Sequence, residues 1–141
     1  MEEKTTGDLT RELMSQANLD LYLKDNQPLF SDSNVAEFLL ALCKKNPIAK
    51  IALARKAGMS EVYLHQVLSG RRNPSRDRLL CLCLALEATM DEIQALLQCA
   101  SYAQLYPKIR RDAIIIHGIV HHTSLSAIND KLFAEGEKTL F

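Results

Sequence analysis

The chain of 141 residues is predicted to be all-α. Three observations carry that prediction. Apolar residues recur at helical spacing in nearly every segment. Ser, Thr and Asn residues that suit helix N-caps, and Gly and Pro residues that suit helix ends, punctuate those segments. One pair of helical patterns, residues 76–106, returns as residues 111–141 at a constant offset of 35.

Taken in order, residues 1–33 read as an acidic N-terminal helical arm. Leu9, Leu13, Met14 and Ala17 give one amphipathic helix with Asp8 as its cap. Leu19, Leu21, Tyr22 and Leu23 allow a second short helix. Gln27-Pro28 breaks it, and Ser31-Asp32-Ser33 is loop. Simple packing on the domain and docking of a partner both fit this arm. Asn34 with Glu37 makes a capping-box start for a helix from Val35 to about Lys45 that buries Val35, Phe38, Leu39 and Leu42. Asn46-Pro47 ends it.

The stretch from Ile48 to Arg78 is the centre of the chain. A short helix places Ile51, Ala54 and Ala57 on one side, with Leu53 beside them. Gly58 supplies the left-handed residue that ends a helix without a Cβ penalty, and Ser60 caps the next helix. There Val62 or Tyr63, Leu64, Val67 and Leu68 fall at helical spacing, and Ser69-Gly70 closes it. Helices joined by so tight a turn have helix-turn-helix geometry, in which the second helix enters the major groove of DNA. Ser75 caps a helix through Leu79, Leu80, Cys83 and Leu84. Thr89-Met90-Asp91-Glu92 is a capping box opening a helix with Ile93, Leu96 and Leu97.

The pattern LARKAGMSEVYLHQVLSGRRNPSRDRLLCLCLALEATMDEI resembles the XRE helix-turn-helix family, the phage-repressor-like DNA-binding fold. Leu53-Ala54, Ala57-Gly58-Met59-Ser60, Leu64, Val67, Ser69-Gly70 and Pro74-Ser75 carry the likeness. It implies a compact five-helix domain over residues 34–98, here with a C-terminal helical extension over residues 99–141. Ala49 stands where relatives often carry a small polar cap, which weakens the start of the first motif helix. Lys50 stands where the family commonly touches the DNA backbone. Most such repressors bind as homodimers on half-sites about one helical turn apart.

Charge is distributed to match. The formal net charge is zero, yet residues 44–78 carry nine basic side chains against Glu61 and Asp77, a net +7. Such a patch is an electrostatic footprint for phosphate, or else a solvated face. If Leu64 and Val67 face the core, the second motif helix turns Glu61, Val62, Tyr63, His65 and Gln66 outward as base-reading residues. Gln66 can make a bidentate pair with adenine, Glu61 can accept from cytosine, and Val62 and Tyr63 can press on a thymine methyl. No arginine lies on this helix, so guanine contacts are not expected to dominate. Lys50, Ser60, Arg71, Arg72, Asn73, Ser75 and Arg76 are the candidate phosphate-binding residues.

The repeat is ungapped. Arg76 matches Arg111, Asp77 matches Asp112, Leu80 matches Ile115, Thr89 matches Ser124 and Ile93 matches Ile128. Leu105-Tyr106 matches Leu140-Phe141, an end anchor for each unit. Two stacked helical hairpins are expected. His117 and His121 replace Leu82 and Leu86 in the second unit. Their spacing allows metal binding, but no carboxylate or cysteine completes a set, and a polar or interface-facing stripe is the other reading.

Other classes recede. No apolar run is long enough to span a bilayer, and the polar, acidic MEEKTTGD is no signal peptide, so a cytoplasmic chain without a membrane partner is expected. Cys43, Cys81, Cys83 and Cys99 lack a C-x-x-C pair and read as reduced, buried thiols. No glycine-rich phosphate loop and no nucleophile–base motif appears, so neither an enzyme nor a cofactor is expected. Two functions remain. One is a sequence-specific, double-stranded DNA-binding transcriptional regulator. The other is a non-enzymatic protein-interaction adaptor that retains the helix-turn-helix fold, its partner docking through the acidic arm or the C-terminal hairpin. That hairpin is also the candidate dimer surface.

Overall fold

The computed structural model describes residues 5–15 and 35–141. Every element of secondary structure within them is an α-helix. The expected helix at residues 19–23, the break at Pro28, the loop at residues 31–33 and the Asn34 cap lie outside the described residues. Eight helices are seen, more than the five of a phage-repressor-like domain alone. They are α1 (Thr6–Ser15), α2 (Val35–Lys45), α3 (Lys50–Ala57), α4 (Glu61–Leu68), α5 (Arg76–Ala85), α6 (Met90–Cys99), α7 (Arg110–Val120) and α8 (Leu125–Ala134).

Helix α1 is capped one turn earlier than its sequence suggests. The Thr5 hydroxyl accepts from the Asp8 backbone N–H and the Asp8 carboxylate accepts from that of Thr5. Asp8 is therefore the third-residue partner of a Thr5 cap rather than the cap, because the reciprocal pair satisfies two free N–H groups at once.

Helix α5 is the centre of the molecule. Its run LLCLCLA is apolar on every side, and Leu79, Leu80, Cys81, Leu82, Cys83 and Ala85 are all buried. A helix with no polar face must be surrounded. Here α3, α6 and α8 pack directly against it. Helix α2 closes over α4 and α6, and α7 packs against α6 and α8. One continuous buried cluster runs from Val35 to Leu140. Ile51 departs from expectation. It is 56% exposed, while Leu53, Ala54 and Ala57 form the inner face of α3. The apolar stripe of α3 is thus one position narrower than its sequence, because α5 covers only the Leu53 side. Phe38 is half-buried rather than buried.

Three turns share one construction. Gly58, Glu87 and His122 all have positive φ. The next residue of each donates back across the helix end, Met59 to Ala54, Ala88 to Cys83 and Thr123 to Gly118. One residue further, Ser60, Thr89 and Ser124 each cap the following helix. The left-handed residue ends one helix, and the hydroxyl starts the next. Thr89 with Glu92 completes the expected capping box. Ala49 caps α3 without a side-chain hydrogen bond, as its methyl dictates.

The repeat holds in three dimensions. Helices α6 and α8 occupy matching residues at the offset of 35, as do the left-handed residues Glu87 and His122, and Ser101 and Gly136. Arg76 Nε donates to Ala103 O, and Arg111 Nε donates to Lys138 O. Gln94 accepts from the Leu105 N–H, and Asn129 from the Leu140 N–H. The two hairpins join by exchange. Arg76 pairs with Asp112 at 3.1 Å, and Arg111 pairs with Asp77 at 3.0 Å. Helix α5 meets α8 while α6 meets α7. Equivalent residues that swap partners mark a two-fold relation, here within one chain. Gly118 lets α8 approach α7 closely, since a Cβ there would lie 2.5 Å from Ile128 side-chain atoms.

Candidate nucleic-acid interface

Helices α3 and α4 present their polar sides to an open groove of about 610 Å3. Leu64, Val67 and Leu68 hold α4 on the core, so its remaining faces are turned outward by elimination. Glu61, Val62 and His65 are exposed, while Tyr63 and Gln66 are half-buried. Val62, 69% exposed, is the most open apolar side chain on either helix. The Ser60 hydroxyl accepts from the Tyr63 N–H at 3.1 Å, which fixes the first turn of α4. The Gln66 carbonyl accepts from the Arg71 and Arg72 N–H groups, and this folds the following loop back beside the helix.

The groove is walled by Ser60, Val62, Tyr63, Gln66 and Arg72 from the expected set. Arg55 and Arg78 stand in the same wall, with Ala54, Gly58 and Met59 between the two helices' polar sides. Both arginines belong to the basic patch of residues 44–78, which by itself assigns them no individual role. The signal was their register: Arg55 follows the buried Ala54 at the end of α3, and Arg78 is in the first turn after the Ser75 cap. Arg72 and Arg78 stand over the Tyr63 ring, 5.3 and 4.9 Å from its centroid. The ring quadrupole attracts both cations and restrains them. Lys50, Glu61, His65, Arg71, Asn73 and Ser75 are exposed outside the groove wall. The Ser75 hydroxyl accepts from the Arg78 N–H as the α5 cap.

Arg76 is placed differently from the phosphate-binding role expected of it. Its guanidinium donates to Ala103 O, Gln104 O and both carboxylate oxygens of Asp112. The side chain is 22% exposed, and that of Asp112 is 4% exposed. Asp112 is a buried acid, and Arg76 is the cation that compensates it.

Ion pairing separates the arginines into two groups. Among the described residues, Arg11, Arg76, Arg110 and Arg111 pair with carboxylates. Arg55, Arg71, Arg72 and Arg78 pair with none. All four unpaired arginines belong to α3, the loop after α4 and the first turn of α5. A guanidinium with no internal acid keeps its donors for phosphate or base edges.

None of the four cysteines is in a disulfide; Cys81 and Cys83 are buried, and Cys43 and Cys99 are half-buried. Burial pushes the Cys81 thiol up to about 11 and Cys83 up to about 12, and raises Cys43 and Cys99 as well. Protonated thiols are poor nucleophiles and poor metal ligands. The His117 and His121 rings lie 4.1 Å apart, but no group of three His, Cys, Asp or Glu side chains suited to a metal occurs among the described residues. No helix among them is long and apolar enough to cross a membrane. No protein-family model matches the chain, and no curated protein or solved structure matches it significantly.

Proposed function

We propose that this chain is a cytoplasmic, sequence-specific transcriptional regulator that binds double-stranded DNA and reads the major groove with α4 as the second helix of a helix-turn-helix. The observation that carries the reading is the segregation of arginines. Every arginine without a carboxylate lies beside α4, and every other described arginine is ion-paired. Arg55, Arg72 and Arg78 then hold the phosphates that flank the groove, and Arg71 and Lys50 add contacts outside it. Gln66, Val62, Tyr63, His65 and Glu61 face the base edges. The Gln66 amide takes no side-chain hydrogen bond among the described residues, so it keeps both arms for adenine. The resemblance of residues 53–93 to the XRE family supports the same assignment.

The second reading is a non-enzymatic protein adaptor on the same fold. It draws on Ile51 and Val62, apolar side chains 56% and 69% exposed on the two motif helices.

Selection of bound duplexes from a random pool, at low and at near-physiological salt, separates the two. A regulator enriches a defined motif that survives the higher salt. Binding that vanishes with salt and leaves no motif means that the arginines meet phosphate alone, and sinks the regulator in favour of the adaptor.

A further inference from the structure

Arg72 and Arg78 come from different elements, the loop after α4 and the first turn of α5, yet their side chains converge on one ring. Their guanidinium carbons lie 5.3 and 4.9 Å from the Tyr63 centroid, which places the two cations within about 10 Å of each other. Like charges so close repel, and no carboxylate offsets them among the described residues. Asp77, the acid beside Arg78 in the sequence, is taken by Arg111 and Lys138. What gathers the two arginines is therefore the face of an aromatic ring.

That ring is a fixed platform. The Tyr63 N–H donates to the Ser60 hydroxyl, and the side chain is half-buried against the core. The backbones on either side are tied as well, Arg72 N–H to the Gln66 carbonyl and Arg78 N–H to the Ser75 hydroxyl. The Tyr63 hydroxyl takes no hydrogen bond among the described residues, so the ring and not the hydroxyl is what the two arginines use. An arginine left free in water loses rotamer freedom when it meets a phosphate. On this platform part of that loss is met before any ligand arrives.

We propose that Tyr63 is a positioning residue, which holds Arg72 and Arg78 in place for the phosphates of a duplex. It acts on DNA through the two arginines, beyond any contact of its own with a base. The inference rests on the DNA-binding reading and adds to it the residue that sets its sequence-independent strength.

The test measures binding of the full chain to two duplexes of unrelated sequence, by fluorescence anisotropy over a salt series. Tyr63→Leu is expected to weaken both on the order of tenfold. The salt slope is expected to hold, since both arginines still reach phosphate. Tyr63→Phe is expected to restore what Tyr63→Leu loses. Pentafluorophenylalanine at position 63 keeps the ring's shape, inverts its quadrupole, and is expected to bind as weakly as Tyr63→Leu. Arg72→Ala with Arg78→Ala is expected to lower the slope by about two, and adding Tyr63→Leu to that pair is expected to change nothing further. Thermal melts by circular dichroism verify folding, and the fluorinated ring gives the answer without removing any packing. Variants of Tyr63 that bind as wild type overturn this inference alone, as does a loss confined to one duplex or one that persists without the arginines. A wild type that binds neither duplex at low salt overturns the DNA-binding reading, and this inference with it.

Discussion

Arg76 and Arg78 stand two residues apart and do opposite work. On a helix that spacing turns side chains to opposite sides. Arg76 points inward to Asp112, and Arg78 points outward over Tyr63. Arg76→Ala strands the buried Asp112 and is expected to cost about 3 kcal/mol, read as a fall in the urea midpoint. Arg78→Ala is expected to leave that midpoint nearly unmoved. On the proposed function it weakens all duplexes alike and lowers the salt slope by about one. A stable Arg76→Ala protein would remove the structural role given to that pair. The sequence placed both arginines in one basic patch, since what divides them is Asp112, which lies 36 positions away from Arg76 along the chain. Gly58, Ser60 and Thr89 were legible because their roles are settled within a few residues. The exposure of Ile51 was not, because the position of α5 decides it.

At the scale of elements, the α3–α4 turn is not unique to that pair. The same left-handed residue and hydroxyl cap join α5 to α6 and α7 to α8. Gly58 announced its turn in the sequence, whereas Glu87 and His122 adopt positive φ without being glycine, and only the repeat register connects them. What distinguishes α3–α4 is thus its surface and not its turn. The capping box of α6 gives a prediction with a definite sign. The Thr89 backbone N–H, with the Lys45 ammonium adding to it, holds the Glu92 carboxyl below the ordinary glutamate range. The unfolded chain titrates Glu92 at the ordinary value. The stability it contributes is therefore present in full above that value and is lost as pH falls through the depressed one. Glu92→Gln is expected to be less stable than wild type at neutral pH, and the gap in urea midpoint is expected to close on acidification. A gap independent of pH would sink this account. Thr89→Ala removes the reciprocal cap and is expected to cost about 1 kcal/mol.

For the whole molecule, the C-terminal hairpin is part of the core. Removing residues 107–141 takes Asp112 from Arg76, the Leu140 carbonyl from the Cys81 thiol and α8 from α5. It also takes away the Phe141 ring, which lies close enough to Gly58 that a Cβ added there would stand 3.3 Å from it. A chain ending at Tyr106 is expected to lose its cooperative transition, while the full chain unfolds in one step by calorimetry. A truncated chain that melts cooperatively near the full-length temperature would make the hairpin an accessory. The repeat was legible because identical spacings of caps and apolar residues need no partner to be seen. The crossing of α5 to α8 and of α6 to α7 was not, because nothing local in either hairpin names the helix it will touch. Residues 16–34, where the sequence suggests a second helix and a loop, lie outside the described structure.

The Arg–Asp dipeptide at the head of each repeat has one more implication. Neighbours on a helix diverge by about 100°, so a lone hairpin of this kind carries one acid and one base that its own dipeptide leaves unmet. Two hairpins cancel both debts at a stroke. Had they been separate molecules, that handshake would fail on dilution. Tethered by the short segment from Tyr106 to Ile109, each faces its mate at a fixed, high effective concentration. The joint between the halves is a bimolecular association made unimolecular, and its strength does not depend on how much of the protein is present.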